Sequence, residues 1–149
     1  MATYKSTLPS GSFIVRRSAG GTPETFTFFC AATTRQFNQE AEVETYLRHD
    51  CDDPSVGAVE GSVVKSRRWD VTLSGACVPE QFALLQADYN SAVGHRWQID
   101  FNVAGASGGG VYVGTARVTK LDVSSQAAGV VNFSATLRGD GPLAFTAAA

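Results

Sequence analysis

The chain has 149 residues, 44% of them hydrophobic, and a net charge of −2 from 12 basic and 14 acidic side chains. That suffices for one domain with its own core, and it leaves no basic excess for gripping nucleic acid or an anionic membrane, which both need clustered Lys and Arg. Cys30, Cys51 and Cys77 form no CxxC pair, which argues against a disulfide framework and a zinc ribbon, and no apolar run approaches the length of a transmembrane helix.

Residues Ala2 to Ser10 read as a polar arm without the apolar stretch of a secretion signal, which predicts a protein made in the cytoplasm. Ser12 to Arg17 predicts a short strand with Phe13 and Val15 on one side, and Gly20-Gly21-Thr22-Pro23 is turn chemistry. Glu24 to Cys30 predicts a second strand, with Phe26, Phe28 and Cys30 inward and Thr25 and Thr27 outward; in that phase Cys30 is a small core residue. A polar connector, Thr33 to Gln39, leads to a strand from Glu40 to Arg48. There Ala41, Val43, Thr45 and Leu47 face one way and Glu40, Glu42, Glu44 and Tyr46 the other. The next segment, His49 to Val64, carries three aspartates, Pro54 and two glycines and predicts a long loop, of a length that is usually functional in a compact domain.

Arg67 to Val103 reads strand, helix, strand. Trp69, Val71 and Leu73 alternate with polar residues in the first strand, and Trp97, Ile99, Phe101 and Val103 do so in the second. Between them Pro79 to Val93 sets Phe82, Leu85, Tyr89 and Ala92 at helical spacing. Pro79 suits the first turn, and Gly94 suits a left-handed position past the end. Burial of Phe82 and Leu85 is expected to contribute roughly 1.5–3 kcal/mol each. Gly105 to Gly110 is a glycine-rich turn. Val111 to Val123 predicts a strand whose alternation shifts phase near Lys120, as a bulge would make it. Gly129 to Arg138 is a last clear strand with Val131, Phe133, Ala135 and Leu137 inward, and residues 139–149 form a turn and a short apolar tail. Seven or eight strands and one helix predict a mainly β domain, a sandwich or barrel with a helix on its flank.

Motifs for chemistry are sparse. There is no GxSxG, and Gly105 to Gly110 has neither the lysine nor the strand-then-helix flanks of a phosphate-binding loop. His49 follows a strand, and His95 follows the predicted helix, where interaction with the helix dipole is a sufficient role. The run His49-Asp50-Cys51-Asp52-Asp53 offers oxygen, sulfur and nitrogen ligands but lacks the spacing and terminal acid of a calcium loop; it reads as a solvated acidic turn. No metal, cofactor or enzymatic activity is expected.

The order of elements resembles that of the major tail tube proteins of long-tailed bacteriophages and gene transfer agents. The resemblance runs over the whole chain and is clearest from Glu40 onward. It lies in the acidic strand around Val43-Glu44-Thr45, the long loop, and Arg67-Arg68-Trp69-Asp70-Val71-Thr72-Leu73-Ser74-Gly75. It continues through the helix, the strand Arg96 to Val103, Gly114-Thr115-Ala116-Arg117-Val118-Thr119-Lys120-Leu121, and the ending Asn132 to Leu137 with the tail from Gly139. The loop 49–64 departs from the pattern.

The resemblance implies one tail tube domain, residues 1–149, with an arm (1–10), a long loop (49–64) and a tail (139–149). It further implies a homohexameric ring, stacked into a tube through which DNA passes as cargo into a host cell, with tail tip or initiator, tape measure and terminator proteins as partners. Glu42, Glu44 and Asp70 are then candidates for the lumen wall. His49, Asp50, Asp52, Asp53 and Pro54 are candidates for ring stacking. A tail terminator or an injection-system ring protein of the same architecture is the alternative, and a small-ligand-binding β-barrel is a third reading.

Overall fold

Alternating apolar and polar side chains become eight strands, flanked by one α-helix, in the computed structural model of the chain. It describes residues 10–29, 32–125 and 129–148, with Ala2, Thr7 and Ala127. The strands are β1 (Phe13–Gly20), β2 (Thr25–Phe28), β3 (Thr34–Arg48), β4 (Val59–Ala76), β5 (His95–Phe101), β6 (Gly110–Ser124), β7 (Asn132–Gly139) and β8 (Ala144–Ala147); the helix is α1 (Pro79–Asn90). They form one antiparallel sheet in the order β2-β1-β5-β6-β7-β4-β3, with β8 also on β6. β5 lies along one edge of β6. β7 and β8 occupy successive stretches of the other edge, with residues 140–143 looping out between them.

The sheet curls on itself, so side chains far apart in strand order meet. Phe37 of β3 touches Tyr112 of β6 at 5.4 Å between ring centroids, and Phe29 sits edge-on to both Trp97 and Phe133. The enclosed core holds Val15, Trp69, Val71, Leu73, Trp97, Ile99, Ala135 and Leu137, with Leu85 of α1 closing over it. Pro79 occupies the first helical turn, where its missing N–H is no loss. β6 bulges at Thr119, between Val118 and Lys120, where the alternation of its sequence shifts phase. The mainly β, one-helix architecture read from the sequence is the one observed.

Several expectations are corrected. Phe28 is 46% exposed and the buried ring is Phe29, at 2%. β2 ends at Phe28, and the Phe29 N–H returns to the Val15 carbonyl, which turns the next side chain inward. The expected inward position of Cys30 lies outside the described residues, as does the arm apart from Ala2, Thr7 and Ser10. Residues 34–39 are not a connector but the first half of β3, held against β4, with Phe37 packed on the core. Tyr89 is exposed, because the inward position one turn after Leu85 is taken by Asp88, and α1 ends at Asn90, before Ala92. Gly94 is not left-handed; it is pressed on β6, where a Cβ would lie 2.5 Å from the Thr115 methyl. Val131 is exposed and precedes β7. The loop 49–64 is shorter than expected, because residues 59–64 extend β4.

His95 lies in β5, not at the helix terminus. Its Nε2 is 2.8 Å from the Ser18 carbonyl oxygen and its Nδ1 is 3.8 Å from Asp88.

Candidate functional site

β3 and β4 pair over their whole common length, from Thr34 opposite Ser74 to Arg48 opposite Val59. β7 covers β4 only from Asp70 to Ala76. From Glu40 outward the pair therefore leaves the body as a two-stranded hairpin, and nearly every residue on it is exposed. Among those residues are Val43, Leu47 (68% exposed), Val59, Val63 and Val64. Isolated two-stranded hairpins are marginal in water, and exposed apolar side chains on both faces make this one an incomplete surface.

Register sorts the side chains. β3 alternates without interruption, while β4 carries one extra residue, Lys65, between Ser66 (opposite Glu42) and Val64 (opposite Val43). One face thus holds Asn38 with Asp70, Glu40 with Arg68, Glu42 with Ser66, Glu44 with Val63 and Tyr46 with Gly61; the other holds Gln39 with Trp69, Ala41 with Arg67 and Val43 with Val64. The structure therefore brings Glu42, Glu44 and Asp70 onto one face. Their surroundings differ. Asp70 is half-buried and accepts a 2.8 Å hydrogen bond from the Asn38 amide. Glu42 lies 4.0 Å from Lys65, whereas Glu44 has no ion-pair partner among the described residues. On the same face Glu40 and Arg68 pair at 2.8 Å. The Tyr46 ring lies over Gly61, where a Cβ would come within 2.8 Å of it.

At the hairpin tip, residues 49–58 are turns. The Asp50 carboxylate accepts the backbone N–H of Asp52 at 2.9 Å and that of Asp53 at 3.3 Å. The Asp53 carboxylate accepts the Ser55 hydroxyl and, at 3.0 Å, the Ser55 N–H, and these bonds hold its pKa below the ordinary 3.8. Two of the three aspartates thus shape the turn. Pro54 follows Asp53 in the turn, His49 stands where β3 ends, and Cys51 is a free, exposed thiol. Among the described residues no three of His, Cys, Asp and Glu lie together as a metal site would require.

A groove of about 730 Å³ lies at the hairpin's root, between residues 64–69 with residues 39–41 of β3 and the turn 139–143. The turn is tied there by a 3.1 Å hydrogen bond from the Trp69 indole N–H to the Gly141 carbonyl. Sequence reading missed this groove. Its one signal was the Gly139-Asp140-Gly141-Pro142 turn, which does not say what it packs against.

The sequence matches the phage tail tube protein family over residues 7–145. No curated protein matches it. Among solved structures, the tail of an empty gene transfer agent particle, determined with C6 symmetry, is similar at a TM-score of 0.76 and 13% identity, over 95% of this chain and 100% of that one. The SPP1 tail tube is similar at 0.63 and 15% identity, over 95% and 80%. The tube-terminating cap of the anti-feeding prophage is similar at 0.63 and 13% identity, over 99% and 96%. At such identities these likenesses speak for the fold, and the sequence match speaks for the family. The chain belongs to the phage tail tube protein family, as a structural, non-enzymatic subunit of a virion tail tube.

Proposed function

We propose that the subunit forms homohexameric rings that stack into a tube, and that DNA passes through this tube on ejection into a host cell. The observation that carries the reading is the β3–β4 hairpin, whose outer half exposes both faces and finds no cover among the described residues. A copy in a neighbouring ring supplies that cover, and ring closure pairs the open sheet edges. The sixfold order of the similar gene transfer agent tail supports six copies per ring. Initiator, tape measure and terminator proteins are then the further partners.

The face bearing Glu42, Glu44 and Asp70 is the lumen wall in this reading. Glu40 pairs with Arg68, Arg16 with Asp100 and Lys120 with Asp122, which lowers the positive charge open to phosphates, while Arg138, opposite Asp70, stays exposed without an ion pair among the described residues. A conduit works best when its wall makes few counterion-releasing contacts with its cargo. The tip residues His49, Asp50, Asp52, Asp53 and Pro54 make the contact between rings. Deleting Asp52 to Gly57 is expected to leave a folded subunit, with native tryptophan fluorescence, that forms no tubes under the electron microscope. Normal tubes from that variant would remove the tip from the stacking contact. Single rings that never stack, from the intact chain, would favour the terminator reading, to which the similar cap structure gives weight.

A further inference from the structure

We propose that the acidic tip of one copy's hairpin seats in the groove at the root of another copy's hairpin. The proposal rests on the tube-subunit reading and names the surface that receives the tip.

Charge complementarity is the first argument. Residues 49–58 carry three aspartates and neither Lys nor Arg. The groove is lined by Lys65, Arg67 and Arg68 against the single acid Glu40. Arg68 is engaged with Glu40, and Lys65 lies 4.0 Å from Glu42. Arg67, exposed, has no ion-pair or hydrogen-bond partner among the described residues. At the tip, the Asp52 carboxylate is likewise uncommitted among the described residues, since only its backbone N–H is bonded. A free guanidinium at the root and a free carboxylate at the tip are matched groups.

The backbone of β4 is open at the same place. β7 leaves β4 at Asp70, so the edge of β4 from Val59 to Trp69 that faces away from β3 has no partner strand. The tip turn, on entering the groove, meets open N–H and C=O groups as well as the cations, over a floor that includes Trp69, Pro142 and Leu143.

A copy cannot satisfy its own groove. Val59 and Arg67 are eight residues apart on one paired strand, roughly 26 Å at about 3.3 Å per residue, so the tip stands well away from the root. The contact must join two copies. Tip-to-root contact is heterologous, and a heterologous contact whose rotation does not close into a ring builds a stack.

The test uses charge reversal in the full chain, assembled with tail-tip extract and scored by electron microscopy at low salt. Both positions are exposed, so the variants are expected to keep native circular dichroism. Arg67→Glu and Asp52→Lys are each expected to lower tube yield by at least about tenfold, and the two together to restore it. As a second measurement, Ala41→Cys, which lines the groove opposite Arg67, is expected to join the native Cys51 of another copy through a short thiol cross-linker, giving a ladder of oligomers that Cys51→Ser abolishes. Single reversals without effect, or a double variant that stays blocked, would overturn the groove as receptor while wild-type tubes kept the tube reading intact. Wild-type protein that forms no tubes would overturn the tube reading and the proposal with it.

Discussion

Arg17 of β1 and Asp88 of α1 form a two-point ion pair, Nε to Oδ2 at 3.0 Å and Nη2 to Oδ1 at 2.8 Å, with side chains only 13% and 8% exposed. Arg17 shares the inward face of β1 with Phe13 and Val15, so the pair sits at the margin of the core and fastens the one helix to the sheet. Removing one partner strands the other charge. Arg17→Ala or Asp88→Ala is expected to destabilise the subunit by about 3–5 kcal/mol. The Arg17→Met/Asp88→Leu pair should cost much less. Urea unfolding followed by the two buried tryptophans measures both; equal losses from the single and paired changes would contradict this account.

Phe28 and Phe29 differ by one position and by their whole burial. Phe29→Ala is expected to cost about 3–5 kcal/mol, because it empties the site between Trp97 and Phe133. Phe28→Ala should stay near ±0.5 kcal/mol in the isolated subunit. Thermal unfolding of the two variants decides which phase the chain adopts.

Gly139 lies under Trp69, and a Cβ there would overlap the indole ring at its nitrogen. Gly139→Ala is expected to lose about 1–3 kcal/mol and to displace the turn that walls the groove. A lowered Tm together with a shifted tryptophan emission maximum is the signature.

Asp53 has a lowered pKa because its carboxylate accepts the Ser55 hydroxyl and N–H. A carboxyl depressed on folding contributes order above its unfolded pKa, near 3.8, and loses that contribution as pH falls through the folded value. The tip turn should hold through neutral and mildly acidic pH and open only below about 3.8. The Ser55 amide shift, followed by NMR down the pH scale, reports it; movement near pH 6 would contradict the assignment.

Much of the fold was legible because one-sided burial writes itself as alternation. Trp97 and Ile99, or Phe133, Ala135 and Leu137, face a core on one side and polar space on the other, and the β6 bulge showed as a slip in that rhythm. The hairpin was half legible. Residues Val59 to Val64 are exposed almost throughout, so neither face imposes a pattern and a strand reads as a loop. Phe29 was missed for a related reason. Three phenylalanines in four residues fit either phase, and a tertiary hydrogen bond to Val15 chooses between them. Glu42, Glu44 and Asp70 could be placed on one face only with the register known, and the groove joins residues more than seventy positions apart.

The central claim is self-assembly into a stacked tube, and electron microscopy of the purified protein over a concentration series, with and without tail-tip extract, tests it most directly. Hollow tubes of constant width built of sixfold rings are expected, at the latest once the extract is added. Monomers alone, even at the highest concentration with the extract present, would contradict it.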